Sequence, residues 1–328
     1  MTARPAPDAA RRALQRGVTL VELMVAMAIA LVVVLAATAA FIGAQRLFTA
    51  DADAQAAEES LRFAGFVVKN IVRQAGYSDY APDYLGPDGE AGIGGSANTP
   101  ASSKNDPLDL DIVGASNTRV SGVGESYGGH NTGGINASDS LLVRFFGRSR
   151  AGGDGTEADG TMIDCMGSPQ PGPAKGKPVL ADRAWSFFYV AEAADKEPEL
   201  YCKYRGTRSG PFKAQPLARG IEVFKVVYGH DADGDGAPEQ WLDAEQLEAM
   251  AASEAKVNDE WRKVVGLRIG MVARSARARG RSREAGEVLY PLGTDFSELG
   301  FRPPADGRLR RVATFTVMLR NAMKGPAS

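Results

Sequence analysis

One uncharged apolar segment near the start of the chain limits what the chain can fold into. It runs from Leu23 to Ala44, and its 22 residues include no Asp, Glu, Lys or Arg. A helix rises about 1.5 Å per residue, so this segment spans ~33 Å, close to the ~30 Å hydrocarbon core of a bilayer. Residues 1–17 carry four arginines and one aspartate, and a basic flank stays on the cytoplasmic side. The segment predicts a single inner-membrane span with the C-terminal bulk of the chain outside it.

Composition excludes several function classes. The 38 basic and 40 acidic residues give a net charge of −2, which leaves no basic excess for a nucleic-acid backbone, so no nucleic-acid partner is predicted. The chain has two histidines, His130 and His230, and two cysteines, Cys165 and Cys202. These counts exclude His-rich metal sites, all-cysteine zinc sites and most iron–sulfur sites. No nucleophile elbow, zinc helix or dinucleotide fingerprint occurs, so we predict that the chain is not an enzyme.

A short motif, Gly17-Val18-Thr19-Leu20-Val21-Glu22, lies directly before the apolar run. A carboxylate at the edge of a span costs less than one at its centre, where translocon scales give ~2.5–3.5 kcal/mol. One explanation is an acid at a helix start, favoured by the helix macrodipole. The motif also resembles the class III signal of type IV pilins and type II secretion pseudopilins. That signal has a basic leader, Gly, a hydrophobic residue, Thr, two aliphatic residues, Glu and about twenty apolar residues. Val18 departs from it, since Phe or Met is commoner there.

The resemblance implies how the segment is processed and what Glu22 does. Prepilin peptidase would cleave after Gly17, the new Val18 amine would be N-methylated, and Glu22 would pair with the amine of a neighbouring subunit. An acid in an apolar packed bundle needs such an opposite charge. A competing hypothesis is an ordinary secretory signal with Ala37-Thr38-Ala39 as its small-residue site. Against it, the apolar run exceeds the usual ~7–15 residues and Glu22 interrupts its start.

The helix is expected to continue beyond the membrane, because no proline occurs between Pro7 and Pro82. A stripe at helical spacing predicts that the second half packs on a globular domain, with Gly76 as the C-cap. The stripe comprises Leu61, Ala64, Val68, Ile71 and Ala75. The predicted organisation is a leader at 1–17, a membrane and polymerisation helix at 18–45, the soluble half of the same helix at 46–77, and a β-rich globular domain at 78–328.

Residues 78–138 are predicted to be loop, since Gly, Ser, Asn, Asp and Pro dominate them, and His130 is expected to be a solvated loop residue. Beyond them, strand-like runs recur without regularly alternating helices, which argues against a doubly wound parallel sheet. Predicted strands are 140–147, 187–191, 200–204, 221–229, 264–273 and 312–320. Residues 241–260 predict a short surface helix, and residues 275–310 predict a long connection. The expected fold is therefore α+β and type IV pilin-like, with the long helix packed on an antiparallel sheet.

The C-terminal part is similar to the PilW type of minor pilin. The similarity is carried by the order of SDSLLVRFFG, the DCMG and LYCKYRG pair, GIEVFKVVYGHDADGDG and FTVMLRNA. It implies a non-catalytic subunit of type IV pilus assembly, in a priming or tip complex, with no required cofactor. Implied partners are other minor pilins, the major pilin, prepilin peptidase, the inner-membrane assembly platform and a tip adhesin. The implied location is the inner membrane with a periplasmic C-terminal domain, and then the fibre. Alternatives are a J-like type II pseudopilin and an anchored or secreted Ca²⁺-binding or adhesive protein unrelated to pili.

Cys165 and Cys202 predict a disulfide, because an even, minimal cysteine count in an oxidising compartment favours pairing. The alternative is two unpaired buried thiols. A closed loop of this size contributes ~3–4 kcal/mol in the chain-entropy model.

An acidic segment, Asp231-Ala232-Asp233-Gly234-Asp235-Gly236, resembles the first half of a calcium loop. Glu239 and Asp243 are candidates to complete the coordination shell. The twelfth position is Leu242 rather than a bidentate Glu, and Pro238 follows the loop, so it is not an EF-hand. The alternative is an acidic turn between strands, because Asp-Gly is itself a hairpin signal. His230 adjoins the loop without a predicted catalytic role.

Overall fold

The structure is a computed structural model that describes residues 18–77, 110–120, 132–151, 157–172, 183–206, 210–278 and 287–321. The leader, Gly17 and His130 lie outside the described residues. The chain divides into two compact units, Met1–Ala52 and Asp53–Ser328. Helix α1, Leu20–Val72, contributes residues to both.

In the first unit, α1 is apolar and exposed. Every side chain from Leu20 to Gln45 is exposed, although this segment contains most of the large hydrophobic residues on the described surface. The helix is long and apolar enough to cross a membrane, with an 18-residue window of mean hydropathy 2.8. A helix that is apolar on all sides fits a lipid environment rather than water.

In the second unit, α1 is amphipathic and its apolar face enters the core. All five residues of the predicted stripe are buried, as are Ala57 and Val72. Glu58, Glu59 and Arg62 lie on the exposed side. The predicted packing of the stripe is thus confirmed. The α-helix ends at Val72, and a turn carries the chain to Gly76, whose positive φ of 66° suits a residue without a Cβ.

The helix packs beside the last strand of the domain. A Cβ placed on Gly65 would lie 3.4 Å from a ring carbon of Phe315, within van der Waals contact of that ring. The Lys69 ammonium lies 5.0 Å from the centroid of the same ring. After the helix, the Asn321 side chain donates a hydrogen bond to the Ala75 carbonyl at 2.9 Å.

Two antiparallel sheets form the described part of the domain. The five-stranded sheet has the order β1-β2-β3-β4-β5, and the four-stranded sheet has the order β7-β6-β8-β9. The strand bounds are β1 Ile112–Ala115, β2 Ser140–Phe145, β3 Ala184–Glu192, β4 Pro198–Arg205, β5 Phe212–Arg219, β6 Ile221–His230, β7 Gln240–Leu242, β8 Val264–Arg274 and β9 Arg310–Met318. Side chains of both sheets and of α1 share one hydrophobic core.

Gly220 alone separates β5 of the first sheet from β6 of the second. Its φ is +80°, a conformation that L side chains rarely adopt. Its N–H donates to the Pro198 carbonyl at 2.8 Å, and its own carbonyl accepts from the Arg274 N–H at 2.9 Å. Gly220 therefore links the two sheets through its backbone.

The structure refines the sequence prediction in four places. Two sheets replace the single expected one. The predicted 78–138 loop contains β1 and a 3₁₀ turn at Ile135–Ala137. Residues 241–260 form two short helices, α2 Ala244–Ala249 and α3 Val257–Trp261, rather than one. The predicted 275–310 connection contains a 3₁₀ segment at Thr294–Leu299.

Candidate functional site

The start of α1 holds Glu22 in a capping box. The Glu22 carboxylate oxygen Oε2 accepts hydrogen bonds from the Thr19 N–H and hydroxyl, both at 3.0 Å. The Glu22 N–H donates to the Thr19 hydroxyl oxygen at 3.2 Å. These bonds satisfy donors that a helix start otherwise leaves free. The sequence signal was present as Thr-x-x-Glu before an apolar run, but sequence reasoning did not single out Thr19.

The cap leaves room for a second role of the same carboxylate. Among the described residues, the oxygen Oε1 of Glu22 has no hydrogen bond, and the side chain is exposed. Val18, the residue predicted to carry the mature amine, is exposed four positions earlier. Capping of α1 and pairing with a cation from outside the chain are therefore compatible in this geometry.

Cys165 and Cys202 form a disulfide, with their Cα atoms 6.4 Å apart. Cys202 lies on β4 and Cys165 in the segment between β2 and β3. Both are buried, and the Cys165 N–H donates to the Ser186 hydroxyl of β3 at 3.1 Å. The disulfide attaches an irregular segment to β4 of the five-stranded sheet.

Four carboxylates converge in the acidic loop after β6. Side-chain oxygens of Asp231, Asp233, Asp235 and Glu239 all lie within 4.8 Å of one another. Asp231 is buried, and its two oxygens accept the N–H groups of Gly234 and Gly236 at 2.6 and 2.8 Å. Hard oxygen ligands at this density are the donor set that Ca²⁺ prefers.

Asp243 does not belong to this group. Its carboxylate accepts the Gln246 N–H at 2.9 Å, and the Gln246 side chain accepts the Asp243 N–H at 3.1 Å, which makes Asp243 the N-cap of α2. The suggestion that Asp243 completes a coordination shell is therefore corrected, because its carboxylate is not among those that converge within 4.8 Å and instead caps α2.

His230 is buried beside the acidic loop and directed to another carboxylate. Its ring nitrogen Nε2 lies 2.9 Å from Glu260 Oε2, and Lys263 also donates to Glu260. Burial alone would raise the pKa of Glu260, but the hydrogen bonds from Lys263 and His230 outweigh it and lower that pKa. Sequence reasoning missed this pair because Glu260 lies 30 residues from His230.

Two known families match this chain, one at its N-terminal segment and one in its C-terminal part. The Prokaryotic N-terminal methylation motif matches residues 12–38, a range that includes Val18 and Glu22. The family described as Type IV Pilus-assembly protein W matches residues 187–321, from β3 to just beyond β9. These two matches support a PilW-type minor pilin with a general function in type IV pilus assembly. The matched family implies interaction with other pilins and processing by prepilin peptidase. Pilins of this kind are generally structural rather than catalytic.

Among solved structures, a type IV-like pilin from Thermus thermophilus is similar at 16% identity. The match covers 58% of this chain and 81% of that one, with a TM-score of 0.30. No match was found among curated proteins. The fold is therefore defined by the helix and strands of this chain and not by that match.

Proposed function

We propose that α1 first anchors this minor pilin in the inner membrane and then becomes its polymerisation segment. Prepilin peptidase cleaves between Gly17 and Val18 on the cytoplasmic side, the Val18 amine is methylated, and the β-rich domain lies in the periplasm. The basic flank at 1–17 and the wholly exposed apolar surface of Leu20–Gln45 support this orientation.

The observation that carries the proposal is the capped but exposed carboxylate of Glu22 at the start of an apolar helix. A charge there is costly in an apolar bundle unless a cation pairs with it. The methylated amine of a neighbouring Val18 supplies that cation and sets the axial register of the subunit. The domain then contacts other minor pilins in a complex that primes or caps the fibre, with the major pilin, the assembly platform and a tip adhesin as further partners.

Two substitutions at Glu22 separate its two roles. Glu22→Gln retains a capping-box residue but removes the charge, whereas Glu22→Ala removes both. We expect both variants to be cleaved and membrane-resident, and both to be depleted from sheared pili relative to the wild-type chain. Normal recovery of Glu22→Gln together with depletion of Glu22→Ala would assign Glu22 to helix capping alone.

The four converging carboxylates favour a second, structural proposal, a bound Ca²⁺ that holds the loop between β6 and β7. At neutral pH, like charges at this distance repel each other, and a divalent cation relieves that repulsion. Binding to the folded state alone raises its stability by RT ln(1 + [L]/Kd), so the Tm rises with the Ca²⁺ concentration.

Calorimetry and thermal melting of the full chain in detergent, with and without Ca²⁺, test this site. We expect a Ca²⁺ binding heat and a higher Tm, both lost in Asp233→Asn/Asp235→Asn. Glu245→Gln, an acidic-to-neutral change on α2 outside the group, is the control and retains both effects. Absence of both effects in the wild-type chain would remove the proposal.

A further inference from the structure

The outer edge of the four-stranded sheet is long, and among the described residues its charged side chains, Arg310 and Arg311, lie at one end. Strand β9 pairs on one side with β8 through nine consecutive residue pairs without a register shift, and it is the last strand of its sheet. It contains no proline. Soluble proteins usually block such edges with proline, bulges, charges or short strands, because free N–H and C=O groups recruit other strands.

The edge strand β5 of the other sheet is protected against the addition of a further strand. Strand β5 contains Pro216, and its pairing with β4 shifts register between Leu200 and Tyr201. Proline removes a donor, and a bulge bends the strand away from an incoming partner. Strand β9 has neither feature. Its edge is therefore open to pairing with another strand, whereas the edge of β5 is not.

Alternation along the ladder identifies the backbone groups that face outward from β9. The Leu319 N–H donates to the Val265 carbonyl at 2.8 Å, which places the odd-numbered residues of β9 in bonding register with β8. The N–H and C=O groups of the even-numbered residues then point away from the sheet. From position 312 onward these residues are Val312, Thr314, Thr316 and Met318, and the side chains of all four are exposed, whereas Arg310 at the start of the strand is buried.

An apolar, positively charged groove lies next to this edge. It runs between α1 and β9 and has a volume of about 480 Å³. Phe66 lines it with 65% of its surface exposed, and Phe63, three residues earlier, is 51% exposed. Arg62, Lys69 and Arg311 line the groove together with Glu58, and Arg62 pairs with Glu58 at 2.6 Å, so Lys69 and Arg311 supply its positive charge.

We propose that β9 is a docking edge that accepts an extended, acidic strand of a neighbouring pilin subunit. The incoming strand adds to the sheet through the outward backbone groups of β9. Its carboxylates face Lys69 and Arg311, and its apolar residues cover Phe66. Pairing of β9 with β9 of a second copy would bring like charges together, so charge complementarity favours a different, acidic chain. The inference rests on the proposed function, because it names the surface through which that function is carried out.

Two variants of the full chain test the edge in cells. Thr316→Pro removes an outward N–H that the β8 ladder does not use, and Thr316→Val is its matched control. Thr316→Pro would lose the hydrogen bond from the Thr316 N–H to the incoming strand and weaken the adjacent ones. We therefore expect recovery of Thr316→Pro in sheared pili to fall about tenfold, with Thr316→Val unchanged. Membrane level, cleavage and disulfide formation stay at the wild-type level in both.

Charge reversal provides an independent test that does not depend on how the fold tolerates proline. Arg311→Glu puts a negative charge into the groove, and Arg302→Glu makes the same change on an exposed residue outside it. We expect severalfold lower recovery of Arg311→Glu in sheared pili and normal recovery of Arg302→Glu. Wild-type recovery of Arg311→Glu overturns the inference.

Photo-crosslinking from position 316 identifies the occupant. An adduct that maps to an acidic extended segment of another pilin supports the inference. An adduct to this chain itself, an adduct to a second copy, or no adduct overturns it. Absence of the wild-type chain from sheared pili would instead count against the proposed function, so the two failures are distinguishable.

Discussion

The two halves of α1 belong to one continuous helix but have different surfaces. From Leu20 to Gln45 every side chain is exposed and most are apolar. From Ala57 to Ala75 the apolar residues occupy one face, and that face is buried in the core of the second unit. Leucine 35 is 62% exposed, whereas Leu61, on the same helix, is 4% exposed. The comparison shows that helical periodicity, rather than hydrophobicity alone, separates a half that packs on its own domain from a half that needs lipid or other subunits.

The largest expected effect comes from making the same substitution in both halves. Leu61→Ala creates a cavity in the core and should cost ~2–5 kcal/mol in the free energy of unfolding of the globular unit. Leu35→Ala should leave that free energy unchanged, because Leu35 contacts no core. Urea unfolding of the full chain in detergent, followed by near-UV circular dichroism, measures both. Equal losses in the two variants would contradict the division of the helix.

The disulfide sharpens the comparison because it lies wholly in the second unit. Replacing Cys165 and Cys202 by alanine should lower the unfolding free energy of that unit by ~3–4 kcal/mol in the chain-entropy model. Membrane association, which depends on the first half of α1, should not change. Thermal melting and carbonate extraction of the double variant provide the two readouts, and loss of membrane association would show that the units depend on each other.

A charge placed in the first half of α1 should impair membrane insertion, whereas a charge placed in the second half should not. Ala36→Asp puts a carboxylate within the predicted span and should cost about 2.5–3.5 kcal/mol of insertion free energy. Ala56→Asp makes the same change at an exposed position of the soluble half and should leave insertion unaffected. Carbonate extraction of membranes quantifies the inserted fraction. If both variants insert equally well, the apolar segment is not the membrane anchor.

The smallest expected effect is a pH dependence confined to the second unit. The guanidinium nitrogens Nη1 and Nη2 of Arg310 donate to Asp306, at 2.6 and 2.8 Å, and these bonds lower the pKa of Asp306 to about 2. A carboxyl with a lowered folded pKa stabilises the protein above its unfolded pKa of about 3.9, and this stabilisation is lost as the pH falls towards 2.

Asp306→Asn should therefore be less stable than the wild-type chain at pH 5, and the difference should shrink between pH 4 and pH 2. Urea unfolding at a series of pH values measures it. A difference that stays constant across this range would mean that the charge of Asp306 does not contribute.

Sequence reasoning succeeded where the signal is local and periodic. The stripe from Leu61 to Ala75 follows the 3.6-residue repeat, and all of its residues are buried as predicted. Strands β2, β3, β4, β6, β8 and β9 contain alternating or continuous apolar runs that were recognised. Strand β1 was missed because four residues, Ile112–Ala115, lie in a tract rich in Gly, Ser and Asp. Strand β5 was missed because it is mostly exposed and contains Pro216.

The remaining features depend on which strands become neighbours, and local sequence does not encode that. The division into two sheets occurs at Gly220, where one residue redirects the chain. The outward groups of β9 are free because β9 is the last strand of its sheet. The acidic residues were identified from spacing, but the separation of Asp243 from the other four required the position of α2.

The most direct test of the account is the N-terminal sequence and intact mass of the chain isolated from cell envelopes, with and without prepilin peptidase. We predict a chain that begins with N-methylated Val18 when the peptidase is present and retains residues 1–17 when it is absent. A terminus near Ala40, or an uncut chain in both strains, would contradict the processing that the account requires and the role proposed for Glu22.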